Sequence, residues 1–162
     1  MKSPGVKIGE PVWEAKKKCP EGVYLKRDFR WYEVLSRAMH DQLREVSSAI
    51  EYYSVDEFFF EVLADPKLTP RETAVAVRDL VSNAVGVPVT VGIGRSKALA
   101  KLFSDTAKPF GARAAVDRNE EEALLEKLPV TEISGIATRR AARLAEHGIT
   151  TCLAFASRSV TC

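Results

Sequence analysis

Two runs rich in aromatic and β-branched residues, Ile50-Glu51-Tyr52-Tyr53 and Phe58-Phe59-Phe60-Glu61-Val62-Leu63, flank the short segment Ser54-Val55-Asp56-Glu57. Such residues favour strands. The segment between them leaves room only for a tight reversal, so the pair predicts a hairpin. Its tip carries two adjacent carboxylates, Asp56 and Glu57. In mid-strand, neighbouring side chains point to opposite faces. At a turn they can converge on one site. Hard divalent cations such as Mg²⁺ take carboxylate oxygens and recruit substrate phosphates. Two of them about 3.5–4 Å apart activate a hydroxyl and stabilise a leaving pyrophosphate. A solvated charged turn is the commoner meaning of an Asp-Glu pair alone, so the surrounding chain decides.

The helical signals fall on either side of this hairpin. Pro11 suits the first turn of a short helix reaching Lys18, and Val23-Tyr24-Leu25 reads as a short strand. Apolar residues at Trp31, Val34, Leu35, Ala38, Met39, Leu43 and Val46 predict an amphipathic helix over 30–47. Thr69-Pro70-Arg71-Glu72 is a capping box that opens a helix running to Gly86. Val87 to Ile93 reads as a strand, Arg95 to Ala107 as a helix, and Ala112 to Val116 as a last strand. Two strands, helix, strand, helix, strand is an α+β order. It predicts a mostly antiparallel sheet near 50–53, 58–63, 88–93 and 112–116, with helices near 70–85 and 95–107 packed on one face. Asp117-Arg118-Asn119 reads as a boundary. Beyond it the chain is all-helical, with an acidic helix from 118 to 128 and short helices near 134–137, 138–147 and 150–156.

The net charge of +2 names no partner, but its distribution is uneven. Residues 1–30 hold eight Lys/Arg against four Asp/Glu, and residues 41–80 hold nine acids against four bases. Residues 95–118 return to six bases and two acids. An acidic middle between basic segments fits a metal site between phosphate-binding walls, and it also fits alternating solvated faces. Three cysteines with no Cys-x-x-Cys spacing suit a reducing cytoplasm and argue against a disulfide framework or a zinc site. Met1 to Glu10 has no apolar core of the kind a signal peptide needs. The most apolar stretch, Ala84 to Gly94, is too short to span a bilayer.

Two further segments carry possible chemistry. Lys97, Lys101 and Lys108 share a helical face if that helix continues, and lysines there could meet triphosphate oxygens or nucleic-acid backbone. Gly92 and Gly94 just before it permit close backbone approach. Ile133-Ser134-Gly135-Ile136-Ala137 opens a basic helix with Arg139, Arg140 and Arg143. A glycine turn at a helix N-terminus presents backbone N–H groups to an anion. Contacts of this kind hold a sugar-phosphate backbone without reading sequence.

Taken in order, these segments resemble the Y-family DNA polymerases, the translesion group that includes the UmuC and DinB types. Gly5 to Ala15 is similar to the later part of the family's fingers region. Tyr53-Ser54-Val55-Asp56-Glu57 resembles the Ser-Ile-Asp-Glu motif of the palm. Val89 to Gly94, with Lys97-x-x-Ala100-Lys101 and Lys108-Pro109-x-Gly111, resembles the next palm block. Ile133 to Leu144 followed by Gly148-Ile149 resembles the helix–hairpin–helix of the thumb.

The resemblance implies three parts: a fingers remnant over 1–27, a palm over 28–117 and a helix–hairpin–helix thumb over 118–162. It implies that Asp56 and Glu57 are the catalytic, metal-binding acids of a two-Mg²⁺ site, left incomplete in this chain. Lys108 matches a lysine that meets the incoming triphosphate, and Lys2 falls where the family often has another basic residue on the same group. Gly135, Ala137, Arg139, Arg140 and Arg143 would hold the DNA backbone. The implied partners are a DNA primer-template, a deoxynucleoside triphosphate and, through C-terminal parts beyond Cys162, a sliding clamp or other repair protein.

Departures from the family pattern are specific. The family's first strand carries another metal-binding Asp and the aromatic that excludes ribonucleotides, and it is expected upstream of Met1. The C-terminal DNA-gripping domain is expected beyond Cys162. Ser134 stands for the usual Pro, and Ala137 for the usual second Gly, whose missing side chain allows close approach to phosphate. The chain therefore reads as a fragment of a translesion DNA polymerase that is inactive alone. The competing class is a non-catalytic, polymerase-like repair accessory protein that binds DNA through the helix–hairpin–helix. Retention of the acid pair argues against it.

Overall fold

The computed structural model describes residues 5–158, so Lys2 lies outside the described residues. The chain divides into two compact units, Met1–Trp31 and Tyr32–Cys162. In the first, α1 (Val12–Lys18) starts after Pro11 and buries Ala15. Glu10 and Lys18 form an ion pair, and the Tyr24 hydroxyl donates to the Cys19 carbonyl at 2.8 Å. Residues 23–25 are not a strand, contrary to expectation. Val23 and Leu25 are each 86% exposed, and no strand among the described residues pairs with their backbone. α2 (Phe29–Leu43) begins in this unit.

In the second unit, Met39 and Leu43 of α2 pack with Val77 and Val81 of α3 (Pro70–Val85). This pair of helices covers one apolar face made by Ile50, Phe58, Phe60, Val89 and Val91. The start of α3 is fixed by the expected capping box: Thr69 accepts from the Glu72 N–H while Glu72 accepts from the Thr69 N–H. Gly86 ends it at φ 73°, in the left-handed region where glycine carries no Cβ penalty.

β1 (Ile50–Ser54) and β2 (Glu57–Phe60) form the expected antiparallel hairpin, with a register shift between Tyr52 and Ser54. β3 (Val91–Ile93) and β4 (Ala112–Ala114) form a second, separate sheet, and it is parallel. The mostly antiparallel single sheet is therefore a wrong expectation. The connection explains the direction: α4 (Lys97–Thr106) carries the chain from β3 back to the start of β4, as a parallel crossover requires.

The placement of both helices on one face is also wrong. Val91 packs toward α3. Side chains alternate along a strand, so Gly92 faces the other way. A Cβ built there would lie 2.1 Å from the Ala100 carbonyl oxygen and 2.3 Å from the Ser104 nitrogen, both backbone atoms of α4. Thus α3 and α4 sandwich the small parallel sheet, and the helices sharing a face are α2 and α3.

Among the described residues no further strand pairs with the β2 edge away from β1 or with the β3 edge away from β4, and these edges line one cleft. Glu61 N–H donates to the Ala49 carbonyl at 3.2 Å, so by alternation Phe58 and Phe60 turn their backbone groups away from β1. Val91 N–H donates to the Gly111 carbonyl at 3.1 Å, so Thr90 and Gly92 turn theirs away from β4. Residues 58–60 and 90–92 line the same cavity.

The last third is helical as expected, although residues 134–135 form a turn and 136–137 are not helical. α5 (Arg118–Lys127) is capped by Asp117, whose side chain accepts from Glu120 N–H. It is followed by the short 3-10 turn Val130–Glu132, α6 (Thr138–Ala145) and α7 (Cys152–Ala156). Leu102 of α4 packs with Leu125 of α5 and Cys152 of α7. Burial raises the Cys152 thiol pKa to about 11, which makes it a packing residue rather than a nucleophile.

Candidate active site

The hairpin tip holds the first two expected residues. The register shift between Tyr52 and Ser54 leaves Val55 and Asp56 as the turn and re-aims the residues around it. Asp56 is exposed and accepts a hydrogen bond from Ser54 Oγ at 2.8 Å. Glu57 opens β2 and is half-buried. Asp56 and Glu57 both line one cavity of about 130 Å³ with Phe58, Phe60, Gly92, Ala100 and Lys101.

α4 supplies the facing cations. Its N-terminus is set by Ser96, which accepts from Leu99 N–H. Lys97 pairs with Glu51, and Lys101 pairs with Glu57. Their ammonium groups lie 6.0 Å from the Phe59 ring and 5.7 Å from the Tyr53 ring, and the two rings meet edge to face at 5.4 Å. Alternation explains the grouping. Glu51, Tyr53 and Phe59 lie on the hairpin face toward α4, while Ile50, Phe58 and Phe60 lie on the face toward α2 and α3. Lys101 has its pKa held above the usual lysine range, first by the Glu57 hydrogen bond and then, against burial, by Asp105.

Lys108 does not share a helical face with these lysines, because α4 ends at Thr106. It lies past the helix, exposed, with Nζ 2.7 Å from Asp105 Oδ1. Asp105 Oδ2 is also 3.6 Å from Lys101. Glu57, Lys101, Asp105 and Lys108 therefore form one continuous chain of alternating charge. The sequence motifs do not single out Asp105 or Glu51. The signal that could have found Asp105 is spacing, since it stands four residues after Lys101 and three before Lys108.

The thumb candidates form their own group. Gly135 sits at φ 90° in the turn, and Ala137 is the N-cap of α6 without a side-chain cap bond. Arg139, Arg140 and Arg143 are all exposed on α6. Arg140 Nη1 donates to the Gly135 carbonyl, so this side chain braces the turn. Gly148 at φ 72° ends the helix, with Ile149 N–H donating back to the Leu144 carbonyl at 3.0 Å. Two Arg–Glu pairs, Arg71–Glu120 and Arg95–Glu121, tie the start of α5 to the N-terminal end of α3 and to the segment that precedes α4. Arg95 holds the Glu121 carboxyl below its usual range.

The donor set at the hairpin fits one kind of cation site. No group of three or more His, Cys, Asp or Glu side chains able to hold a metal occurs among the described residues. Two adjacent carboxylates still suit Mg²⁺, which keeps several waters and is commonly bound by one or two carboxylates plus substrate phosphates.

The impB/mucB/samB family model matches residues 1–105, and the chain belongs to that family, the UmuC-type domain of Y-family DNA polymerases. It is 36% identical over 149 residues to DNA polymerase IV 2 of Mesorhizobium japonicum, covering 91% of this chain and 36% of the relative. It is 34% identical over 148 residues to DNA polymerase IV of Saccharolobus solfataricus, covering 90% of this chain and 42% of the relative. The insertion ternary complex of Dbh DNA polymerase is similar at a TM-score of 0.81 and 28% identity, over 98% of this chain and 46% of that one. The post-insertion binary complex of Dbh gives a TM-score of 0.83 and 28% identity, over 99% of this chain and 48% of that one. The chain thus spans well under half the length of these curated relatives and just under half of these solved chains. No helix among the described residues is long and apolar enough to cross a membrane.

Proposed function

We propose that this chain supplies the catalytic acids and the first DNA-backbone contacts of a translesion DNA polymerase. The observation that carries the reading is the bulged hairpin tip, where Asp56 and Glu57 line one cavity together with Lys101 of α4. In this reading residues 1–27 belong to a fingers region, 28–117 form the palm and 118–162 the thumb. Asp56 and Glu57 hold the divalent cations. When bound, Mg²⁺ supplies Lewis-acid stabilisation of the attacking and leaving oxygens. Lys108 leaves Asp105 to meet the nucleotide triphosphate, and Lys2 is its proposed companion. The chain's own contribution is positioning and charge, which carry most of phosphoryl-transfer catalysis.

The cleft between β2 and β3 is the place for one further strand bringing a third carboxylate to the tip. Its two edges offer the backbone groups of Phe58, Phe60 and Gly92 that turn away from β1 and β4, while the Thr90 carbonyl already accepts from Ser104 Oγ at 3.2 Å, and its floor is apolar. A sliding clamp or other repair protein is a further proposed partner.

The thumb would grip phosphates through the turn at Gly135 and Ala137 and through Arg139 and Arg143. Arg140 is shared between the backbone and the turn it braces. DNA binding by the chain is expected to be sequence-independent and strongly salt-dependent. Replacing Arg139 and Arg143 by Ala should flatten the plot of log affinity against log salt by about 0.7–0.9 for each phosphate no longer neutralised. An unchanged slope would remove α6 from the DNA-binding surface.

The reading as a whole is tested by a chimera in which residues 1–162 replace the corresponding part of a DNA polymerase IV. The chimera should extend a primer in Mg²⁺, whereas the 162-residue chain alone should not. A folded chimera without primer extension would overturn the reading.

A further inference from the structure

The ion pair between Lys101 and Glu57 raises a question that the catalytic reading leaves open. A carboxylate proposed to hold a cation is already held by another. Lys101 is the most enclosed cation of the site: its side chain is 19% exposed, against 63% for Lys97 and 59% for Lys108. Its ammonium is fixed by Glu57, by Asp105 at 3.6 Å and by the Tyr53 ring at 5.7 Å. Lys101 also lines the cavity that Asp56 and Glu57 line.

The geometry points to Lys101 as a built-in counter-ion that competes with divalent cations for Glu57. The inference rests on the proposal that Asp56 and Glu57 bind metal. Without a cation bound, two neighbouring carboxylates would repel each other, and the ammonium neutralises one of them in place. A cation arriving at Glu57 must displace Lys101. Asp105, on the next turn of α4, gives the displaced ammonium a second carboxylate within reach. Lys101 is thus a positioning residue. It keeps Glu57 aimed into the cavity and sets the cation concentration at which the site fills.

The test is a Mn²⁺ titration of the 162-residue chain followed by electron paramagnetic resonance, which reads binding without activity. Lys101→Met keeps the stem beside Tyr53 and removes the charge. It should bind Mn²⁺ about tenfold more tightly, since the positive charge that the cation must otherwise displace from Glu57 has gone. Lys101→Arg keeps the charge and should bind as the parent does. A purely structural role would make Met the more damaging change and leave Mn²⁺ binding equal or weaker, which would overturn the proposal. If Lys101→Met does not fold, Lys101→Gln carries the same expectation. Asp56→Ala and Glu57→Ala separate the two levels. If both leave Mn²⁺ affinity unchanged, the carboxylate pair is not the metal site, and the catalytic reading falls together with this inference. If they abolish binding while Lys101→Met and Lys101→Gln fail to strengthen it, only the counter-ion role falls.

Discussion

Gly92→Ala is expected to destabilise the chain by at least about 3 kcal/mol, the upper end of ordinary overpacking. The added methyl would sit 2.1 Å from the Ala100 oxygen and 2.3 Å from the Ser104 nitrogen. Neither atom is the end of a flexible side chain. Both belong to the backbone of α4, so the helix itself must move off β3. A loss of that size is a large part of the stability of a typical domain. Thermal unfolding followed by circular dichroism should show the midpoint falling by roughly 6–12 °C, taking 2–4 °C per kcal/mol for a chain of this size. The movement would also carry Lys97 and Lys101 away from Glu51 and Glu57. Gly86→Ala is the useful comparison, because its Cβ meets nothing within 4 Å and only its φ of 73° penalises the change. It should cost about 1–2 kcal/mol. Equal midpoints for Gly92→Ala and the parent would show that α4 does not rest on β3 as described.

The same glycine shows where reading the sequence succeeds and where it stops. Gly92 and Gly94 are legible as points of close backbone approach, but the approaching group is α4 rather than a ligand phosphate. A chain that faces one side of a short strand with glycines asks for a helix backbone there. Local signals are legible wherever they are self-contained. The hairpin follows from its two aromatic runs and the short segment between them. The Thr69–Glu72 capping box and the glycine end at Gly86 are each complete within a few residues. Sheet layout is different in kind. The β3 and β4 segments are three residues each, and nothing inside them specifies their neighbours. Their parallel pairing follows from the length of the α4 crossover. Val23 and Leu25 have strand composition but no strand partner, so composition alone misleads there. At the site, Asp56, Glu57 and Lys108 stand out as charged residues in motifs. That Lys101 turns toward Glu57 requires knowing which face of the parallel sheet α4 covers.

Within the polymerase chimera, Asp56→Ala or Glu57→Ala should lower primer extension by about a thousandfold or more. Electrostatic stabilisation of developing charge is usually the largest single contribution to such a rate, and losing one element of it costs about 10²–10³ in turnover. A carboxylate that also holds the cation takes the cation's contribution with it. The loss should appear in the rate constant at saturating nucleotide. Lys108→Ala, by contrast, should act mainly on nucleotide affinity, since its proposed contact is with the bound triphosphate. The measurement that bears most directly on the account is therefore single-turnover primer extension in Mg²⁺ by the parent chimera, Asp56→Ala and Glu57→Ala, each checked for folding. Extension by the parent is expected, with none detectable by either alanine variant. Undiminished extension by both variants would contradict it.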